Sequence, residues 1–158
     1  MHAILLTQLA PPCGLAPFPP VSAAQFPPSS GQPQFTLKIP AGFPSPAADY
    51  VEDELDLNTY LIKHRAASFF FQVEGDSMIG AGIFDGDKVL VDRSLVPMHG
   101  HVVVAIIDAE FTLKRLYRVG DTIELRPENP AYRAIPIREG NDLQIWGVVS
   151  AVIRKLRT

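Results

Sequence analysis

The chain has 158 residues, a formal net charge of -3 and a single cysteine, Cys13. That length holds one domain of ordinary size with a core of its own, and the negative charge argues against a protein that binds nucleic acid chiefly through its phosphates. The lone cysteine excludes an internal disulfide framework and fits a reducing, cytoplasmic setting.

Eleven of the fifteen prolines fall within residues 1 to 46, where Lys38 is the only charged side chain. Proline removes backbone donors and excludes helix, so residues 1 to 40 are expected to be extended and mobile unless they dock on something. The opening run Met1-His2-Ala3-Ile4-Leu5-Leu6 lacks a basic flank and is cut short by Pro11 and Pro12, so neither a signal peptide nor a membrane span is expected. Cys13, after Ala10-Pro11-Pro12, is a weak lipidation candidate. Phe35 to Ile39 alternates like a strand, and Ala41-Gly42-Phe43-Pro44-Ser45-Pro46 is small, bent and accessible.

From Asp49 onward Val, Ile, Leu and Phe are dense and charges are interspersed. Asp49, Glu52, Asp53 and Glu54 read as a solvated acidic face. Asp56 is placed to cap a short helix through about Ile62, with Leu57, Tyr60 and Leu61 expected to point inward. Beyond His64 the pattern turns to β. Ser68 to Val73 reads as a buried strand, and Asp85-Gly86-Asp87 as a turn into Lys88 to Asp92; a calcium loop would need further oxygen ligands. His101 to Ile107 and Phe111 to Tyr117 form an expected hairpin through Asp108-Ala109-Glu110. Gly120-Asp121 turns into Thr122 to Arg126, and Leu143 to Ile153 is one long apolar strand. His99 and His101 have no second pair of ligands at suggestive spacing, so no metal and no cofactor is expected. Arg154-Lys155-Leu156-Arg157 reads as a solvated basic end.

Two residues in this β pattern carry chemistry. Ser77 lies in Glu74-Gly75-Asp76-Ser77-Met78, a glycine-bounded bend after an apolar strand, and Lys114 lies inside a later strand. A serine hydroxyl is a weak nucleophile that needs a base within hydrogen-bond reach. Lysine is that base only when neutral, and an ordinary pKa of about 10.4 leaves under one molecule in a thousand neutral at pH 7. Burial shifts the balance, by as much as roughly 3 to 5 units in a fully buried lysine. At this level two readings stand: a Ser-Lys dyad, or a turn serine and a solvated strand lysine.

Several motifs in one order reach further. Gly42-Phe43-Pro44-Ser45-Pro46-Ala47-Ala48-Asp49-Tyr50-Val51-Glu52, Gly75-Asp76-Ser77-Met78-Ile79, Asp85-Gly86-Asp87, Gly100 before a Val-rich strand, and Glu110-Phe111-Thr112-Leu113-Lys114 together resemble the UmuD branch of the LexA/UmuD family. The resemblance runs from residue 41 to about residue 154. It implies a mainly β, LexA C-terminal-domain-like fold carrying a Pro-rich arm, with residues 1–41 removed by self-cleavage and 42–158 forming the peptidase domain. It makes Ser77 the nucleophile and Lys114 the general base, with backbone N–H groups at Asp76 and Ser77 holding the oxyanion. The family cuts at a small residue followed by glycine, which both Cys13-Gly14 and Ala41-Gly42 satisfy. The Phe-Pro-Ser-Pro run follows Gly42, which places the expected cut at Ala41-Gly42.

The partners implied are a second copy of the chain in a homodimer, the RecA filament on single-stranded DNA as activator, and an UmuC-type Y-family polymerase in translesion synthesis. No sequence-specific DNA binding of its own and no membrane partner is implied. The arm is longer and richer in proline than the UmuD pattern. A LexA-type or phage-type repressor would need an N-terminal helical domain, which residues 1 to 40 cannot form. The same fold also admits a non-cleaving binding module, and Ser-Lys chemistry also serves signal-peptidase-like proteases, which would want a membrane anchor.

Overall fold

The structure, a computed structural model, describes residues 21–22, 32–35, 41, 51–138 and 140–157, with 21–22, 32–35 and 51–53 described by their backbone alone. Its strands are β1 (Val21–Ser22), β2 (Gln32–Phe35), β3 (Val51–Leu55), β4 (Ser68–Gln72), β5 (Lys88–Asp92), β6 (Val102–Ile107), β7 (Glu110–Val119), β8 (Thr122–Arg126), β9 (Ile135–Pro136) and β10 (Leu143–Ile153). Among the described residues one α-helix, α1 (Leu57–Leu61), follows β3, and short 3-10 turns lie at Arg65–Ala67 and Ile79–Ala81. Eight strands form one sheet in the order β1-β4-β5-β10-β6-β7-β8-β9, every neighbouring pair antiparallel. Strands β2 and β3 pair separately. The mainly β, LexA C-terminal-domain-like fold expected from the sequence is the fold observed.

Period-2 alternation in the central strands sorts their side chains to two faces, and both faces are covered. Val89, Val91, Val104 and Trp146 join Val73, Met78 and Ile83 in one cluster, while Val103, Ala105, Ile145 and Val148 join Leu116, Ile123 and Leu125 in another. Burial on both faces explains why β5, β6 and β10 read as nearly continuous apolar runs. β10 reaches across the middle of the sheet by shifting register twice, between Ile145 and Gly147 against β6 and between Val149 and Ala151 against β5. Gly147 permits this close approach, since a Cβ there would lie 2.7 Å from Val91 Cγ1.

The sequence-based elements hold from Ser68 to Arg126 and from Leu143 to Ile153, with ends shifted by a residue or two. Others differ. Of the strand expected at Phe35 to Ile39, only Phe35 lies within the described residues, and the strand there begins at Gln32. The acidic stretch forms β3, whose backbone bonds to β2 do not depend on side-chain polarity; Glu54 is exposed as expected, and Asp49 lies outside the described residues. Asp56 caps α1 by accepting from Asn58 N–H at 2.9 Å. The inward face of α1 is corrected: Leu57 and Tyr60 are exposed, and Ile62, one residue past the helix, is the buried side chain, with Leu61 packed beside it. A helix this short makes too little of a turn pattern for spacing to choose its buried face.

The C-terminal end is also corrected. Arg154 is a structural residue: its Nε donates to Asp87 Oδ1 at 2.6 Å, its Nη2 donates to Asp87 Oδ2 and to Gly82 O, and its guanidinium lies over Phe84. The Arg154 hydrogen bonds outweigh burial and hold the Asp87 carboxyl below its ordinary range. The segment after β10 is thereby tied to the turn that leads into β5. Lys155, Leu156 and Arg157 are exposed.

Candidate active site

Strand β4 runs out at Gln72, and the chain bends through Gly75, whose φ of +88° suits a residue without a Cβ. Asp85 fixes this bend by accepting the Gly75 N–H at 2.8 Å. Met78 anchors it from below, being 1 % exposed in the first core cluster. Ser77 is thus held between a buried neighbour and a pinned glycine, with its side chain at a cleft.

The lysine arrives by a different route. β6 and β7 are joined by a two-residue turn, Asp108-Ala109, with φ of +47° and +71°, and the register places Lys114 opposite Val103. A primed turn of this kind matches the twist of the paired strands and so fixes their register. Lys114 Nζ lies 3.0 Å from Ser77 Oγ and donates to Leu113 O at 2.9 Å. Among the described residues no carboxylate forms an ion pair with it. Its surroundings are therefore desolvating without a compensating charge, and burial pushes the amine below its ordinary pKa. A neutral amine at that distance accepts a hydroxyl proton.

The cleft where the two side chains meet encloses about 240 Å³. Its walls come from the end of β4, the Ser77 bend, Val89, Val104 and the residues from Phe111 to Lys114. Phe71 and Phe111, with ring centroids 6.1 Å apart, give it an aromatic side. A partly enclosed groove with an aromatic side, beside a hydroxyl and an amine whose pKa burial lowers, suits an extended peptide more than a charged small molecule.

Behind the bend, on the side away from the cleft, the loop between β8 and β9 closes on it. Glu128 N–H donates to Ser77 O at 2.8 Å, and Gly80 N–H donates to Glu128 O at 2.7 Å. The approach admits only glycine at position 80, since a Cβ would sit 2.5 Å from Glu128 O. Asn129, 9 % exposed, donates from Nδ2 to Asp76 O at 3.1 Å, and Tyr132 donates its hydroxyl to Asp76 Oδ1. That hydrogen bond and the carboxylate charge raise the Tyr132 phenol above its ordinary pKa. Arg115, beside Lys114 on β7, pairs through Nε with Glu128 and donates from Nη1 to Gly100 O at 2.6 Å.

Of the residues singled out in the sequence, Ser77, Asp76 and Lys114 come together. Ala41 is an exposed bend residue, while Gly42, Cys13 and Gly14 lie outside the described residues. His99 and His101 are otherwise engaged: His99 Nδ1 accepts from Arg118 N–H and packs its ring on Tyr117, and His101 Nδ1 accepts from Met98 N–H. The sequence marks Asp85 only as a turn residue, and sequence reasoning misses Glu128, Asn129 and Tyr132. The signal for them is Pro127-Glu128-Asn129-Pro130, a proline-bracketed loop directly after a strand, whose rigidity suits a fixed support.

Comparison with known proteins points the same way as the motifs. The family described as Peptidase S24-like matches residues 33–150. Protein SamA of Salmonella typhimurium is 51 % identical over 129 residues, covering 82 % of this chain and 89 % of the relative. Protein MucA of Escherichia coli is 45 % identical over 121 residues, covering 75 % and 81 %. The LexA repressor of Caldicellulosiruptor saccharolyticus is 42 % identical over 119 residues, covering 75 % of this chain and 57 % of the repressor. No described helix is long and apolar enough to cross a membrane.

Proposed function

The chain belongs to the Peptidase S24-like family, and on that premise we propose that it is a UmuD-like SOS-response protein that cleaves itself at Ala41-Gly42. The observation that carries this reading is the 3.0 Å approach of a half-buried lysine amine, with no carboxylate partner among the described residues, to Ser77 Oγ in a peptide-sized cleft. Neutral Lys114 takes the proton of Ser77, whose oxygen attacks the carbonyl carbon of Ala41. Backbone N–H groups at Asp76 and Ser77 hold the oxyanion, and such donors are commonly worth about 3 to 4 kcal/mol. Collapse of that intermediate breaks the bond to Gly42, whose amine leaves with the proton Lys114 returns. Water then attacks the acyl-enzyme and frees Ser77.

Residues 1–41 are the part removed, and residues 42–158 the product. Cleavage is held back when the scissile segment occupies the cleft in only a minor population, and a partner that favours the docked state raises the rate. The RecA filament on single-stranded DNA is the partner proposed for that step, in the cytoplasm. The processed chain forms a homodimer that serves an UmuC-type Y-family polymerase in translesion synthesis.

Mass spectrometry of the purified chain after incubation at neutral and alkaline pH tests the reaction and the bond together. The expected product begins at Gly42, accumulates at high pH and is absent from Ser77→Ala. A fragment beginning at Gly14 would move the bond. An intact chain at every pH, and also with RecA filaments, would overturn the proposal.

A further inference from the structure

The Ser77 bend is supported from behind by side chains that never reach the cleft. Asn129 and Tyr132 are absent from its walls and line a separate depression with Glu128 and Gly80. Asn129 holds the carbonyl of the peptide unit immediately before the nucleophile, Tyr132 holds the side chain of the same residue, Asp76, and the Ile79 N–H reaches that carbonyl more loosely at 3.4 Å. Asn129 Nδ2 donates to Asp76 O at 3.1 Å and lies 3.4 Å from Asp76 Oδ2, while the Tyr132 hydroxyl donates to Asp76 Oδ1.

This peptide is trans, so its carbonyl and its N–H point in opposite directions. Holding Asp76 C=O toward Asn129, behind the bend, therefore turns the Ser77 N–H toward the cleft. Among the described residues no acceptor engages that N–H. Asn129 is itself fixed, since its Oδ1 accepts the Ala131 N–H at 3.0 Å and its carbonyl accepts the Tyr132 N–H at 3.0 Å. Glu128 N–H, bonded to Ser77 O, fixes the next peptide from the same side. A peptide free to rotate would lose part of its time to orientations with the N–H turned away, and a preorganised donor has no such loss.

We infer that Asn129, aided by Tyr132, is a positioning residue that locks the Asp76–Ser77 peptide so that the Ser77 N–H faces the developing oxyanion. The inference rests on the self-cleavage proposed above. It separates two duties at one serine: Lys114 acts on the hydroxyl, and Asn129 acts on the backbone donor. The loop between β8 and β9 is thereby part of the reaction's machinery without touching the peptide being cut.

The two duties are separable by experiment. In the full chain, Asn129→Ala is expected to lower the alkaline plateau of self-cleavage by roughly tenfold to a hundredfold, short of the loss of an oxyanion donor outright. The pH midpoint should stay where it is, because Lys114 is untouched. Tyr132→Phe removes one hydroxyl and should cost a few-fold. As a control on folding, Ser77→Cys with and without Asn129→Ala is treated with iodoacetamide, and alkylation at position 77 is followed by peptide mass. That substitution reaction passes through no oxyanion, so both chains should react at rates within about a factor of two of each other. Unchanged cleavage in Asn129→Ala would overturn the inference. So would a loss of cleavage accompanied by an equal loss of alkylation or by a moved pH midpoint, since the residue would then support the fold or Lys114. Cleavage that survives Ser77→Ala would instead bring down the underlying mechanism.

Discussion

Ser77 and Lys114 reach one cleft on unlike supports. Lys114 lies within β7, which pairs with β6 from Glu110 to Arg115 and with β8 from Arg115 onward. Its position is a matter of register, set by a two-residue turn and held by ladder bonds. Ser77 has no ladder. It sits on a bend fixed by contacts from Asp85, Glu128 and Asn129, two of them more than fifty residues further along the chain. The lysine side is built by local pattern and the serine side by tertiary contact, so damage to each should look different.

Removing either proposed reacting group should have the largest effect. Lys114→Ala and Ser77→Ala are each expected to lower self-cleavage by at least roughly a thousandfold while the chain still folds, as followed by fragment accumulation and circular dichroism. Damage to the strand that carries the lysine comes next. Leu116→Ala empties a fully buried site on β7 and should cost about 2 to 5 kcal/mol in urea denaturation. Gly80→Ala strikes the serine side, where the new Cβ meets Glu128 backbone. A stability loss of about 1 to 3 kcal/mol is expected, with cleavage falling further than that loss explains because the loop is pushed off the bend. Smallest is Ala109→Gly in the β6–β7 turn, where a residue with a Cβ holds φ of +71°. Relief of that strain should stabilise the chain by about 1 kcal/mol in thermal melts and leave cleavage unchanged.

The same contrast governs what can be read from the sequence. Lys114 is legible because β7 and its hairpin announce themselves through alternation and a short polar turn, and the motif order places the lysine beside Ser77. The long strand Leu143 to Ile153 is legible because it is apolar on both faces. Asn129 and Tyr132 are not, since a polar residue in a proline-bracketed loop carries no mark of the carbonyl it will meet. Arg154 looks like a solvated chain end for the same reason: its partner Asp87 lies far away in the sequence, and only the antiparallel course of β5 and β10 brings the two together. Short elements fail differently. β9, with two residues, is too short for a period to emerge, and α1, with five, shows its Asp56 cap in the sequence but not which face is buried.

The proposed role of Lys114, a base made available because burial lowers its pKa, shows itself in the pH dependence of self-cleavage. The base form is the neutral amine, so the rate should rise tenfold per pH unit on the acid side and level off as the amine becomes fully deprotonated. The rate of Gly42-fragment formation, measured without activator from neutral pH upward, is predicted to bend to a plateau with a midpoint below 10.5, the ordinary lysine value, and to lose that profile in Lys114→Ala. A rate that climbs with hydroxide straight through that value, or a profile unchanged in Lys114→Ala, would contradict it.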